Sequence, residues 1–230
     1  MIPKPDTKKI IEVKGLTKTF IDKGGIETRV LRGLDFTCYR GEFIAIMGRS
    51  GAGKSTFLYQ MSLLDKPTSG LIKIEEHEVS ALTEEEKTTF RLNKLGYVFQ
   101  DYALIPELTA LENIMIPLLM QGYKTPIARM KALQSLSRIG LEARQNNLPS
   151  GLSGGEQQRV AVARAVAHAP EIIFADEPTA NLDTYSGKLV LDLLLELNKN
   201  GQTIVMVTHE EEYGHMADRI VRLSDGQIVA

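Results

Sequence analysis

Apolar positions along this chain fall into two rhythms. "EFIAIMG" (42–48), "LGYVFQ" (95–100), "EIIFAD" (171–176) and "TIVMVTH" (203–209) are short, nearly continuous apolar runs. Runs of that length predict strands buried on both faces. Residues 10–14 and 29–39 also read as strands, the second only partly alternating through Leu31, Leu34, Phe36 and Cys38. Between them lie helical patterns with explicit start signals. Thr83–Glu86, Thr109–Glu112 and Ser153–Glu156 each have capping-box spacing. Pro126 after Thr125 suits a first helical position, and Gly140 closes that helix. "LSDGQIV" near the end reads as an Asp-Gly hairpin. Buried strands alternating with helices predict a largely parallel α/β sheet. From about 101 to 165 the pattern holds several helices and no strand. That stretch is expected to be a helical subdomain inserted between 10–100 and 166–230 of a single domain covering 1–230.

Composition narrows the class. Charged residues make up 24% and hydrophobic ones 43%, as in a soluble globular protein. A net charge of −2 supplies no basic field for nucleic acid or an anionic surface, and no nucleic-acid partner is expected. The single cysteine, Cys38, excludes an internal disulfide and sits in "LDFTCYRG", where it reads as a small core residue. "MIPKPDTKKI" lacks the charged-then-apolar layout of a signal peptide. The most apolar stretches fall short of the ~20 residues that span a bilayer. There are no internal repeats and no low-complexity tract.

"GRSGAGKST" (48–56) fits the phosphate-loop pattern, with Gly48, Gly53, Lys54 and Ser55 in the fixed positions. It follows a buried strand and opens an apolar helix, the context the pattern demands. Its glycines let the backbone N–H groups of Gly48, Arg49, Ser50, Gly51, Ala52 and Gly53 approach phosphates, and the helix N-terminus adds a positive dipole end. Lys54 can reach the β and γ oxygens, Ser55 can ligate Mg²⁺, and Thr56 completes the expected nucleotide-binding stretch 48–56.

A phosphate loop alone does not separate a kinase, a GTPase and an ATPase. "IIFADE" (172–177) is an apolar strand ending in two carboxylates. Asp176 stands where a Mg²⁺-associated carboxylate belongs, and Glu177 follows as a candidate to polarise an attacking water. "TIVMVTHE" repeats the design and places His209 just past a buried strand. His168 and His215 have no such context, and no His/Cys/Asp spacing points to zinc. A guanine-recognising N/T-K-x-D strand is missing, and the helical insert has few of the arginines a kinase lid uses. An ATPase remains, with a second glycine turn left over: "GLSGGEQQRV" (151–160).

With that turn on the page, "LSGGEQQR" (152–159), "DEPTANLD" (176–183) and "TKTF" (17–20) together resemble the ATP-binding-cassette (ABC) ATPases over essentially the whole chain. Six fixed residues of "LSGGEQ" arise by chance in about one such chain in tens of thousands. Ser153 can cap its own helix while Glu156 reaches back, leaving the Gly154 and Gly155 amides without intrahelical partners. The resemblance implies a P-loop NTPase (RecA-like) core of mostly parallel strands, an N-terminal antiparallel β subdomain and an inserted helical subdomain. It implies that the Ser153–Gly155 turn serves ATP bound to a second copy, so that two chains pair head to tail around two ATP molecules. It further implies that Phe20 stacks on adenine, where the family more often has Tyr. Gln100 would touch Mg²⁺ and the attacking water, and Asp183 would cross toward the partner's phosphate loop. Lys54, Gln100, Glu177 and His209 form the implied catalytic set, Ser55, Gln100 and Asp176 the implied Mg²⁺ ligands. Arg49 and Ala52 occupy positions often filled by Pro and Ser, a change that removes no backbone donor.

"LIPELTALENIMIPLL", "PTANLD" and a chain ending soon after the hairpin look like the branch serving lipoprotein release and macrolide or peptide export. The implied partner is a separate transmembrane permease docking near the loop after Gln100, which would hold this chain peripherally on the cytoplasmic face of the membrane. In that loop Tyr102, Leu104 and Ile105 either line a groove for a short partner helix or pack inward. A cell-division-type cassette that regulates a periplasmic hydrolase without transport remains the alternative. Soluble cassettes that act on DNA or ribosomes carry long coiled-coil insertions or two fused cassettes, and neither is present.

Overall fold

A computed structural model describes residues 8–229; the first seven residues of "MIPKPDTKKI" lie outside the described part. In chain order the elements begin β1 (Lys9–Ile21), β2 (Glu27–Tyr39), β3 (Phe43–Met47), α1 (Lys54–Met61), β4 (Ser69–Ile74) and β5 (His77–Glu78). They continue with α2 (Glu84–Lys94), β6 (Leu95–Val98), α3 (Ala110–Met120), α4 (Thr125–Arg138), α5 (Gly154–Val166) and β7 (Ile172–Asp176). The chain closes with α6 (Thr184–Lys199), β8 (Thr203–Val207), α7 (Glu211–Gly214), β9 (Arg219–Ser224) and β10 (Gln227–Val229). It divides into two compact units, one formed by the segments up to Thr89 and from Asn198, the other by Phe90–Leu197.

The first unit carries two sheets. One is antiparallel, in the order β2-β1-β4-β5. Its long β1 is irregular: the pairing with β2 shifts register between Val13 and Leu16 and again at Leu16/Thr17. Gly15, at φ 55, sits inside that irregular stretch. Gly70 of β4 comes so close to it that a Cβ would lie 2.6 Å from the Gly15 carbonyl and from the Leu16 Cα. The second sheet is built on β3, which pairs in parallel with β8 on one side and β9 on the other. All five residues of β3 and all five of β8 are buried, so neither strand can alternate apolar with polar. The β9–β10 hairpin turns through Asp225 (φ 49) and Gly226 (φ 74), the two left-handed residues a tight hairpin turn requires. Two polar ties fix the strand ends: Arg219 Nε donates to Glu42 Oε1 at 2.7 Å, and the Phe43 N–H donates to Asp218 Oδ2 at 2.8 Å.

The second unit combines the parallel pair β6–β7 with the helices between them. Ala110, Leu111, Ile114, Met115 and Leu118 of α3 pack with Ala128, Ala132 and Leu136 of α4 and with Val160 and Ala163 of α5 in one apolar cluster. Each helix is spaced so that these side chains fall on one face. All three capping boxes expected from the sequence are formed, at Thr83–Glu86, Thr109–Glu112 and Ser153–Glu156.

Candidate nucleotide site

In the first unit, buried β3 delivers the chain into a loop of residues 48–53. Gly48 (φ 154) is forced to be glycine by contact, since a Cβ there would collide with the backbone carbonyl of Leu223 in β9. Gly51 (φ 78) and Gly53 (φ 96) hold left-handed conformations that suit glycine. Gly53 is the N-cap of α1 and provides no side-chain cap, so the first turn lacks the acceptor that a Ser, Thr or Asp cap would bring. Arg49, Ser50 and Gly51 are exposed, while Ala52 is buried with its carbonyl accepting from the Gly226 N–H at 3.1 Å. The hairpin turn thus braces the loop from behind. Lys54 is only 7% exposed, and its ammonium donates to the Gly48 and Arg49 carbonyls at 3.0 and 3.2 Å. No carboxylate pairs with it among the described residues. A nearly buried cation held only by neutral carbonyls is costly without an anion nearby. Ser55 and Thr56 are half-buried in the first turn of α1.

Two further sequence candidates lie in this unit. Phe20 of β1, paired with Thr28 of β2, is 45% exposed with the Lys18 ammonium 4.8 Å from its ring centroid. His209 is exposed directly after buried β8, where the Thr208 hydroxyl accepts from the Glu210 N–H at 3.1 Å.

The second unit holds Gln100, the Ser153–Gly155 turn, Asp176, Glu177 and Asp183. β7 is buried throughout and ends in Asp176, itself 4% exposed. Glu177 follows at φ 43, a left-handed backbone that a residue with a Cβ rarely adopts. Such strain clusters where geometry is part of a mechanism. Gln100 is exposed beyond β6, and its carbonyl accepts from Asn181 Nδ2 at 3.2 Å. The next residues, Tyr102 (φ 60) and Ala103 (φ 49), form a second left-handed kink. Arg164 of α5 clamps it, donating to the Ala103 and Tyr102 carbonyls at 2.7 and 3.1 Å. Asp183 accepts from the Ser186 N–H at 3.0 Å and so caps the start of α6. Hydrogen bonds from Ser186 hold that exposed carboxyl below the ordinary aspartate value.

At the start of α5, Ser153 Oγ accepts from the Glu156 N–H at 3.3 Å and Glu156 Oε2 accepts from the Ser153 N–H at 2.8 Å. The Ser153 backbone hydrogen bond is the main reason the Glu156 carboxyl lies below the usual glutamate value. Gly154 and Gly155 are small for a packing reason. A Cβ at Gly154 would meet the Tyr102 hydroxyl at 2.8 Å, and one at Gly155 would meet Ser186 Oγ at 2.6 Å. The turn is therefore wedged between the kink after Gln100 and the start of α6. Sequence reasoning did not assign Arg164, Asn181, Tyr102 or Ser186 this bracing role. Arg164 and Ser186 sit inside ordinary helical patterns, and nothing in the chain marks the carbonyls and glycines they meet.

Residues 31–180 match the family described as ABC transporter. This chain belongs to the ABC transporter family. A lipoprotein-releasing system ATP-binding protein, LolD, of Aquifex aeolicus is 47% identical over 200 residues, covering 87% of this chain and 89% of that protein. A macrolide export ATP-binding/permease protein, MacB, of Escherichia coli is 44% identical over 224 residues, 97% of this chain but 34% of that protein. Among solved structures, a dimeric post-hydrolysis state of the ATP-binding cassette MJ0796 bound to ADP and Pi superposes with TM-score 0.89 at 41% identity, covering 96% of this chain and 97% of that one. The fold is the α/β fold of an ABC cassette, with its antiparallel sheet, parallel strands and helices.

Two features of this ABC cassette bear on partners. No helix among the described residues is long and apolar enough to cross a membrane. In the loop after Gln100, Leu104 packs against the helical cluster, while Ile105 is 40% exposed. Tyr102 turns its hydroxyl to the Asn181 carbonyl at 3.4 Å. Of the three loop residues, only Ile105 presents an apolar side chain outward.

Proposed function

We propose that this chain is the ATP-hydrolysing subunit of an ABC transporter, converting ATP and water to ADP and phosphate to drive a separate membrane permease. The observation that carries the reading is the 48–55 loop, where a glycine cradle and the nearly buried Lys54 ammonium create a site that an anion would complete. Backbone amides of residues 48–53 and the Lys54 ammonium bind the β and γ phosphates, and Phe20 stacks on adenine. Glu177 accepts the proton of the attacking water as its oxygen bonds to the γ phosphorus and the β–γ bridging oxygen leaves with ADP. Gln100 and His209 orient that water and the γ phosphate.

Mg²⁺ fits the donor set. Mg²⁺ takes oxygen ligands and is held by few protein groups plus substrate phosphates, as the hydroxyl, carboxylate and amide oxygens of Ser55, Asp176 and Gln100 would supply. Ser55 and Asp176, with Gln100, would hold it, and it would neutralise charge on the phosphates. The Ser153–Gly155 turn and Asp183 act on ATP bound to a second copy, making a homodimer with two shared sites. Residues 101–165 serve as the helical subdomain, and the permease docks beside the loop after Gln100, keeping this chain on the cytoplasmic face of the membrane. Relatives named for lipoprotein release and macrolide export favour a transport motor over a cassette that only regulates a hydrolase.

Mixing Ser153→Arg with Lys54→Ala chains tests the shared site. Each variant is expected to be inactive alone. In a mixed dimer one site carries both lesions while the other pairs an intact phosphate loop with an intact Ser153 turn, so activity should return. Absence of rescue, with no ATP-dependent dimer of Glu177→Gln by sedimentation, would remove the dimeric reading.

A further inference from the structure

Gln158 lies one turn into α5 and is completely buried. Its Nε2 donates to the Phe99 carbonyl at 3.2 Å and to the Pro178 carbonyl at 2.8 Å. Both N–H groups of the amide are therefore committed. Its Oε1 has no partner among the described residues. Burying an acceptor unpaired is unfavourable, and an apolar side chain of the same size would avoid it. The two acceptors explain why an amide is present. Phe99 immediately precedes Gln100, and Pro178 immediately follows Glu177. Pro178 has no N–H, and Glu177 is held in the left-handed region at φ 43. One planar group thus ties together the two backbone segments that carry the proposed water-binding residues.

We propose that Gln158 is a positioning residue for ATP hydrolysis, a strut of fixed length that sets Gln100 against Glu177. The inference rests on the catalytic roles proposed above. It differs from mere filling of the core because the buried amide directs its Nε2 hydrogen bonds to these two carbonyls. α5 carries the Ser153 turn at its N-terminus and Gln158 inside its second turn. A displacement of that helix would therefore move the spacing of the water-binding pair in the same chain.

The test compares wild type, Gln158→Leu and Gln158→Glu, with Glu177→Gln as reference. In Gln158→Leu both bridges vanish, and kcat should fall by up to about 10²-fold, as small misplacements of reacting groups do. ATP affinity should stay within about threefold, because the phosphate loop is untouched. Gln158→Glu keeps the shape but opposes two carbonyl oxygens with a carboxylate when ionised. Burial raises the pKa of such a carboxyl, and the neutral acid can donate to one carbonyl. Its kcat relative to wild type should therefore recover as pH falls from 8.5 to 6, roughly in step with protonation. Gln158→Leu should show no such recovery. A folded Gln158→Leu with near-normal kcat overturns the proposal. So does a loss of kcat that merely tracks lost ATP affinity or lost cooperative unfolding, or a Gln158→Glu profile parallel to that of Gln158→Leu. Turnover surviving in Glu177→Gln would instead remove the catalytic reading, and this proposal with it.

Discussion

Ser153 has two roles in this reading, and a second helix in the same unit separates them. Thr109 opens α3 with the same box that Ser153 forms at α5. The hydroxyls accept from the Glu112 and Glu156 N–H groups at 3.2 and 3.3 Å, and the two glutamates accept in return at 2.9 and 2.8 Å. Removing either hydroxyl costs the same cap, about 0.5–2 kcal/mol of stability. Thr109→Ala and Ser153→Ala should therefore shift the urea midpoint by similar amounts. Only Ser153 is proposed to donate to a phosphate. A hydrogen bond to a charged group contributes about 1.5–3 kcal/mol. At about 1.4 kcal/mol per factor of ten, Ser153→Ala should lose roughly 10- to 150-fold in turnover while Thr109→Ala stays near wild type. Steady-state ATPase rates and urea unfolding of both variants decide it. Equal activities, whether both retained or both lost, would reduce Ser153 to a helix cap and refute the reasoning.

Alanine at Gly48 should be far more damaging than alanine at Gly51, although both residues have positive φ. At Gly51 no atom lies within 4 Å of the added Cβ, so the cost is the left-handed backbone alone, about 1–2 kcal/mol; at Gly48 the Leu223 carbonyl must move, and nucleotide titration with equilibrium unfolding should show lost binding together with the larger destabilisation. Acid should weaken the helical unit through its caps. Glu112 and Glu156 are held below the ordinary value of 4.5, chiefly by the backbone N–H groups of Thr109 and Ser153; their stabilisation is complete above that value and is lost as pH falls through the lowered folded values, because the unfolded chain then binds the proton more readily. Unfolding midpoints of wild type and Glu112→Gln measured downward from pH 6 should converge, and parallel curves would argue against the linkage.

The parallel core was legible because its chemistry is local. β3, β6, β7 and β8 are short apolar runs ended by turn or polar residues, and the three capping boxes are patterns four residues long. The antiparallel sheet was only partly legible. β1 extends to Ile21, well past the expected end at residue 14. Its tail is half exposed, and the register shifts around Gly15 break the alternation that would reveal it. β4 opens with Ser69 and Gly70, which read as loop residues. Gly70 is required there by the close approach of β1, a tertiary cause with no local trace. The same holds in the site. The phosphate loop and the Ser153 turn are visible as motifs because their residue types recur at fixed, short spacing. Gln158 and Arg164 bind carbonyls 59 and 61 residues away, and a carbonyl has no residue type.

Two helix N-termini in this chain are built in opposite ways, and the difference explains why the second turn is not a spare copy of the first. α1 starts at a left-handed Gly53 with no side-chain cap, so no side chain at its N-cap competes for the first-turn amides. α5 starts at a capped Ser153, with the Glu156 amide already satisfied, leaving the amides of Gly154 and Gly155. Neither glycine has positive φ, so backbone freedom does not account for them. Contact does: the Tyr102 hydroxyl and Ser186 leave no room for a Cβ. Tyr102 belongs to the kink after Gln100, and Ser186 caps onto Asp183. The second turn is thus tightly wedged against the loops that carry Gln100 and Asp183. A phosphate arriving there from another chain would press on both loops, with Arg164 and Gln158 on the same helix holding the kink and the Glu177 segment. In the proposed dimer the first turn grips a nucleotide, and the second receives the phosphate that a partner brings.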